Sequence, residues 1–332
     1  MTKVGIIGAG SGGIALSWLL TNNGCDVTVW SIIESEITML QKEHEHKEKL
    51  PGVILSDTMT FSTNLKETIS GKDFLILAVP SPYTRSTSKM MAPFVTQDQI
   101  IVNVAKGVEE NTLMTLSEII EQEIPQAKVA VLSGPSHAEE VGKGMPTTIV
   151  IGCNDHSEAV YLQDIFMSEV FRVYTSEDVK GMELGAALKN VIALAAGMAD
   201  GLGCGDNTKA ALITRGITEI ARLGVTMGCK RETFYGLTGI GDLIVTCASM
   251  HSRNRRAGIL IGKGATMDEA MKEVKMVVEG VYSAKAALGL SKKYQISLPI
   301  IEQVNAVLFD GKKASDAMSE LMLRDKKIEY AD

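Results

Sequence analysis

Several short clusters in this chain have residue types and spacings that could do chemistry. Gly8-Ala9-Gly10-Ser11-Gly12-Gly13 fits G-x-G-x-x-G. In that pattern Gly8 permits a tight turn, Gly10 lets the backbone approach a pyrophosphate, and Gly13 lets a helix pack close to a sheet. The helix N-terminus that follows offers unpaired N–H groups and a partial positive charge to phosphates. Further along stand Asn103-Val104-Ala105-Lys106-Gly107, the run from Ser133 to Val141 (SGPSHAEEV) and Leu188-Lys189-Asn190. Gly239–Cys247 (GIGDLIVTC) and Ser252-Arg253-Asn254-Arg255-Arg256 complete the set. Hydride exchange at an alcohol carbon needs a nicotinamide, a proton donor or acceptor at the oxygen, and a clamp on the rest of the substrate. Lys189 sits in an otherwise apolar helical pattern, where desolvation lowers a lysine pKa toward neutrality. A second ammonium from Lys106 would push it the same way, and Asp242 would oppose both. Arg253 offers a phosphate the planar fork that a lysine lacks.

These residues need elements to place them. Uniformly apolar runs at Val4–Ile7, Val27–Trp30, Phe74–Val79, Ile100–Val104, Val129–Leu132 and Thr147–Ile151 predict strands of a parallel sheet covered on both faces. Helical patterns between them give βαβ units; the one after Leu113 should stop at Pro125. Beyond about residue 178 helical patterns take over, at 181–198, 208–223, 255–262, 267–274, 281–294 and 300–308. The predicted fold is α/β, an N-terminal Rossmann-type doubly wound sheet with a C-terminal all-α domain. The expected division is a dinucleotide-binding domain over 1–178 and a helical substrate-binding domain over 179–332. The charge-dense Gln41–Lys49 (QKEHEHKEK) reads as a solvated helix or loop, since histidines two apart on a helix point away from each other.

Composition removes other classes. The chain has 332 residues and a net charge of −7, which argues against a nucleic-acid binder. Five cysteines, none in a C-x-x-C pair, argue against a disulfide scaffold or a zinc site, and no metal is expected. They point to a reducing cytosol and a cytoplasmic protein. The uncharged stretch from Val4 to Leu20 holds too many glycines for a membrane span or signal helix.

Taken together, the motifs resemble the NAD(P)-dependent glycerol-3-phosphate dehydrogenases of the soluble, bacterial type. The likeness rests on GAGSGG at 8–13, AKGVE at 105–109, SGPSHAEEV at 133–141, LKNVIALAAG at 188–197, GDLIVTC at 241–247 and SRNRRAG at 252–258. DGLGCGDNTKAAL at 200–212 and VVEGV at 277–281 add to it. The resemblance implies reversible reduction of dihydroxyacetone phosphate to sn-glycerol 3-phosphate, feeding glycerophospholipid synthesis, in a homodimer. It implies that Lys189 is the general acid/base. Lys106, Gly134 and Ser136 would line the substrate, and Asp242 and Thr246 would orient the Lys189 ammonium and the substrate hydroxyls. Ser252, Arg253 and Asn254 would hold the phosphate. Beyond Gly8, Gly10 and Gly13, the dinucleotide would touch Ser11, Gly12, Lys106, Ala138, Arg253, Val277 and Glu279. Two positions depart from the family: Gly12 replaces an aromatic residue, and Ile32 replaces an Arg or His. The second leaves the choice between NAD and NADP open, because no fixed cation remains there for a 2′-phosphate.

Plainer readings compete. Asp242 could be an N-cap, and Lys189 could snorkel from a helix edge. Arg255 and Arg256 read as structural or surface residues, His137 as a bystander, and Cys204, Cys229 and Cys247 as small core or near-site residues. A dehydrogenase acting on a hydroxy acid or sugar nucleotide would share the first half, but a hydroxy acid needs no phosphate clamp. A nicotinamide-binding sensor would have no use for a positioned proton donor.

Overall fold

The computed structural model describes residues 1–326, 328 and 329. In its first half strands and helices alternate. They run β1 Lys3–Ile7, α1 Ser11–Asn22, β2 Asp26–Trp30, α2 Glu34–Glu43, β3 Thr60–Ser62, α3 Leu65–Ile69, β4 Phe74–Leu77, α4 Thr84–Met91, β5 Ile100–Asn103, α5 Leu116–Glu123, β6 Lys128–Ser133, α6 Ala138–Val141, β7 Thr147–Cys153, α7 His156–Phe166 and β8 Phe171–Ser176. They form one eight-stranded sheet in the order β3-β2-β1-β4-β5-β6-β7-β8. From β1 the chain moves outward to β2 and β3, and from β4 it moves the other way. A crevice therefore opens beyond the carboxyl ends of β1 and β4, where ligands of such sheets bind.

The second half is helical: α8 Val179–Gly201, α9 Asp206–Thr226, α10 Arg231–Phe234, α11 Asp242–Ala248, α12 Arg253–Gly262, α13 Met267–Val274, α14 Glu279–Tyr294, α15 Pro299–Phe309 and α16 Ala314–Met322. A π-helical turn, Leu237–Gly241, leads into α11. The fold class read from the sequence is thus the one observed.

Three details differ from the sequence reading. Strands β3 and β8 went unpredicted. The first is three residues long, and the second alternates buried with exposed positions, as a half-buried strand does, instead of running apolar throughout. The sheet is also not wholly parallel: β7 runs antiparallel to β6 and parallel to β8. The β6–β7 connection holds only the single turn α6, too little helix for a crossover back to the same edge. Finally, His46 is not solvated. It is fully buried, and its Nδ1 accepts the Lys49 N–H at 3.2 Å.

Helix α8 is the axis of the second half. It is long and apolar enough to cross a membrane, but it lies buried inside the protein. Its closest partner is α12, and glycines set the approach. A Cβ on Gly197 would lie 2.2 Å from the Arg255 carbonyl oxygen, and one on Gly258 would lie 2.3 Å from that of Leu194. Gly201 and Gly262 repeat this contact one turn on. No side chain fits between backbones that close. The crossing fixes the start of α12, with Arg253 and Asn254, against the middle of α8, with Lys189. Gly197→Ala and Gly258→Ala should each destabilise the protein by about 1–3 kcal/mol through overpacking. Denaturant midpoints would measure this, and an unchanged midpoint would show that the crossing is not tight.

Candidate active site

The glycine motif divides into two kinds of position. Gly8 has φ +121°, and a Cβ there would sit 2.8 Å from the Ala78 carbonyl oxygen. A Cβ on Gly13 would lie 2.1 Å from the Gly8 carbonyl oxygen. These two are required by the turn and by helix–sheet packing. Gly10 and Gly12 instead face space: a Cβ on Gly10 has no neighbour closer than 3.9 Å, and one on Gly12 has none within 4 Å. This open cradle at the start of α1 fits a pyrophosphate held by backbone N–H groups. It is one end of a crevice of about 1110 Å³ that runs between the two halves.

At the other end is a charged cluster. Lys189 is only 4% exposed, because it projects from the buried helix α8. Its Nζ donates to Thr246 Oγ1 at 2.6 Å and lies 3.0 Å from Asp242 Oδ1. Thr246 can accept because its own hydroxyl donates to the Asp242 carbonyl oxygen at 2.6 Å. Asp242 Oδ2 lies 2.6 Å from Lys106 Nζ, which also donates to the Gly134 carbonyl oxygen at 3.1 Å. Asp242, 2% exposed, thus joins a lysine from the loop after β5 to one from α8. Burial pulls the Lys189 pKa down to about 8; Lys106 adds to that and Asp242 resists it. Burial would raise the Asp242 carboxyl, but the two ammonium groups outweigh it and hold it below its ordinary value.

The dinucleotide candidates Gly8, Gly10, Ser11, Gly12 and Ala138 border the crevice on the sheet side, while Gly13 is packed behind it. Val277 and Glu279 border it from the segment leading into α14. Burial raises the Glu279 carboxyl, an effect that Arg253, Lys106 and Lys189 partly offset.

The substrate candidates Ser136, Lys189, Ser252, Arg253 and Asn254 also line the crevice, as do Lys106 and Thr246. Gly134 and Asp242 do not; each reaches it through Lys106. Arg253 has no ion-pair partner among the described residues, so its guanidinium is available to an anion. Ser252 and Asn254 have structural duties as well. Ser252 Oγ caps α12 by accepting the Arg255 N–H at 3.2 Å. Asn254 Oδ1 accepts the Gly280 N–H at 2.8 Å, and its Nδ2 donates to Asn190 Oδ1 at 2.9 Å. Arg255 is structural, with its Nε on Asp200 Oδ2 at 2.8 Å.

Asn190 was not singled out as a site residue, yet it lines the crevice. Its Nδ2 is buried without a protein partner among the described residues. Adjacency to Lys189 on the same helical turn was the only signal for it. Glu36 and Lys49, which also line the crevice, had no motif to mark them.

The chain matches the models of the NAD-dependent glycerol-3-phosphate dehydrogenase N-terminus over residues 3–159 and C-terminus over residues 178–319. It is 68% identical to a glycerol-3-phosphate dehydrogenase (NAD(P)+) of Agathobacter rectalis, covering 100% of this chain and 98% of the relative. A second relative with that description, from Fusobacterium nucleatum, is 60% identical over 99% of each chain. Among solved structures, the glycerol-3-phosphate dehydrogenase of Coxiella burnetii superposes with a TM-score of 0.94 at 34% identity, over 97% of this chain and 99% of that one. With both halves matched and the crevice between them built as described, the chain belongs to the NAD-dependent glycerol-3-phosphate dehydrogenase family.

Proposed function

We propose that Lys189 is the proton donor and acceptor of the reaction this chain catalyses, the reversible NAD(P)-dependent interconversion of dihydroxyacetone phosphate and sn-glycerol 3-phosphate. The observation that carries the assignment is the buried Lys189 ammonium, held by Asp242 and Thr246 at the wall of the crevice. The nicotinamide, when bound, supplies or takes the hydride. Gly8, Gly10, Ser11 and Gly12 would hold the pyrophosphate of the dinucleotide, with Gly13 packing α1 behind them and Ala138, Val277 and Glu279 against the rest.

In the reducing direction Lys189 gives a proton to the ketone oxygen as that oxygen gains charge; in the oxidising direction its neutral amine takes the hydroxyl proton. A pKa of about 8 suits both, because neither form is far from populated near neutral pH. Asp242 restrains the ammonium, and Thr246 fixes its direction by accepting one of its hydrogens. Lys106, tied to the same carboxylate, adds positive charge beside the substrate, with Gly134 and Ser136 shaping the wall next to it. Arg253 takes the substrate phosphate, with Ser252 and Asn254 at the start of the same helix. The division of labour runs at 178/179, with dinucleotide binding before it and substrate binding after it. The same reading extends to a homodimer in the cytoplasm, whose product feeds glycerophospholipid synthesis; the free cysteines suit a reducing compartment.

Lys189→Ala should lower kcat roughly 10²–10⁴-fold, the usual worth of a general acid/base. Its dinucleotide affinity should stay within about threefold, since the side chain bonds to Asp242 and Thr246 and is not among the residues placed against the dinucleotide. Loss of absorbance at 340 nm and fluorescence titration with NADH read the two effects, and a substantially retained kcat would remove the assignment. The pH dependence has a definite sign. Ketone reduction needs the ammonium and should fall as pH rises through about 8, whereas alcohol oxidation should fall as pH drops through the same value. A lysine with an ordinary pKa would place both limbs near 10. Arg253→Ala should raise KM for dihydroxyacetone phosphate roughly ten- to a hundredfold, the cost of one charge-assisted anchor. An unchanged KM would place the phosphate elsewhere.

A further inference from the structure

The ribose end of the crevice lies beyond β2. Ile32 is 70% exposed there and offers no charge. Next to it, Ser31 Oγ donates to Glu36 Oε2 at 2.7 Å and accepts the Ile33 N–H at 3.1 Å. The other Glu36 oxygen is held in a close ion pair with Lys49 Nζ. Both oxygens of this buried carboxylate are therefore engaged. To serve the paired hydroxyls of an unsubstituted ribose, as a carboxylate at this place does when NAD is selected, Glu36 would have to use the remaining lone pairs of oxygens already held by Ser31 and Lys49.

Lys49 is in the opposite condition. An ammonium has three hydrogens to donate, and Glu36 is the one side-chain partner of this one among the described residues. The side chain is 29% exposed and forms part of the crevice wall. Its backbone is anchored by the buried His46, whose Nδ1 accepts the Lys49 N–H and whose carbonyl oxygen accepts the Leu50 N–H at 2.9 Å. Burial pushes the His46 imidazole below its ordinary range, which leaves Lys49 as the counter-ion of Glu36. A cation fixed from behind by a carboxylate, with donors left over toward a crevice, is a preorganised anion site.

We infer that Lys49, held by Glu36 and the turn at His46, receives the 2′-phosphate of NADPH and so replaces the cation missing at Ile32. The inference rests on reading this crevice as the dinucleotide site. Arg256, Lys272 and Lys275 also border the crevice, from the helical half, and are the competing cations.

Calorimetric titration with 2′,5′-ADP and 5′-AMP separates the possibilities without turnover. The unaltered protein should bind 2′,5′-ADP more tightly, by roughly ten- to a hundredfold. Lys49→Met should erase that preference, while affinity for 5′-AMP, which lacks the phosphate, changes less than about threefold. The double variant Lys272→Met/Lys275→Met should retain the preference. If Lys49→Met does not fold, Lys49→Gln, whose amide can still donate to Glu36, takes its place with the same expected loss. In turnover, the ratio of kcat/KM for NADPH to that for NADH should fall with the same substitution. Equal or tighter binding of 5′-AMP by the unaltered protein overturns the inference. So does a preference that survives loss of Lys49 or disappears with Lys272 and Lys275. Failure of both nucleotides to bind would overturn the dinucleotide reading and this inference with it.

Discussion

A single buried carboxylate holds the charged cluster of the crevice together. Asp242 lies between two ammonium groups that come from different halves of the chain, Lys106 after β5 and Lys189 in α8. Three charges in a nearly dry site are expensive, and a buried ion pair is weak evidence of stability. The arrangement is explained by what it does to Lys189. Burial lowers the pKa of that ammonium, and Lys106 lowers it further. Asp242 supplies the opposing attraction, and the balance leaves the pKa at about 8. Each ammonium keeps a second partner, Thr246 for Lys189 and the Gly134 carbonyl for Lys106, which limits the number of buried hydrogens left unsatisfied.

The backbone around Asp242 is unusual in the way such a task requires. The π-helical turn Leu237–Gly241 precedes it, and turns of this kind concentrate at functional sites because the wider winding re-aims the residues that follow. Gly239 is part of the reason the turn fits: a Cβ there would lie 2.0 Å from the Phe234 carbonyl oxygen. On the other side of Lys189, the glycines of α8 and α12 bring Arg253 and Asn254 up to the same crevice. Lys189 and Arg253, the proposed proton donor and phosphate clamp, are thereby carried on one closely packed pair of helices, and the glycine turn is carried on the sheet side. The crevice lies where these helices and the sheet face each other.

Much of this was legible from the residues. The long apolar runs that became β1, β2, β4, β5, β6 and β7 are buried on both faces, the condition under which a strand leaves its plainest trace. Strands β3 and β8 are short or half-exposed, so their signal competed with that of loops. The antiparallel entry of β7 was invisible, because direction in a sheet depends on the length and packing of a connection and not on the strand's own residues. His46 shows the same limit from the other side. Its neighbours are charged, yet a tight turn folds it inward against the body of the domain.

The sequence by itself determined the kind of machine: a glycine cradle behind a first strand, a lysine stranded in an apolar helix, and an arginine-bearing helix start are local patterns with local physical causes. Tertiary structure decided the pairings. That Asp242 serves two lysines, and makes no capping bond to the helix it begins, depends on contacts between distant segments. So do the availability of Arg253 for an anion, the bonds of Asn254 to Asn190 and Gly280, and the placing of Lys49 beside the crevice. Electrostatic effects follow distance in space and burial, and neither is written in the spacing of residues along the chain.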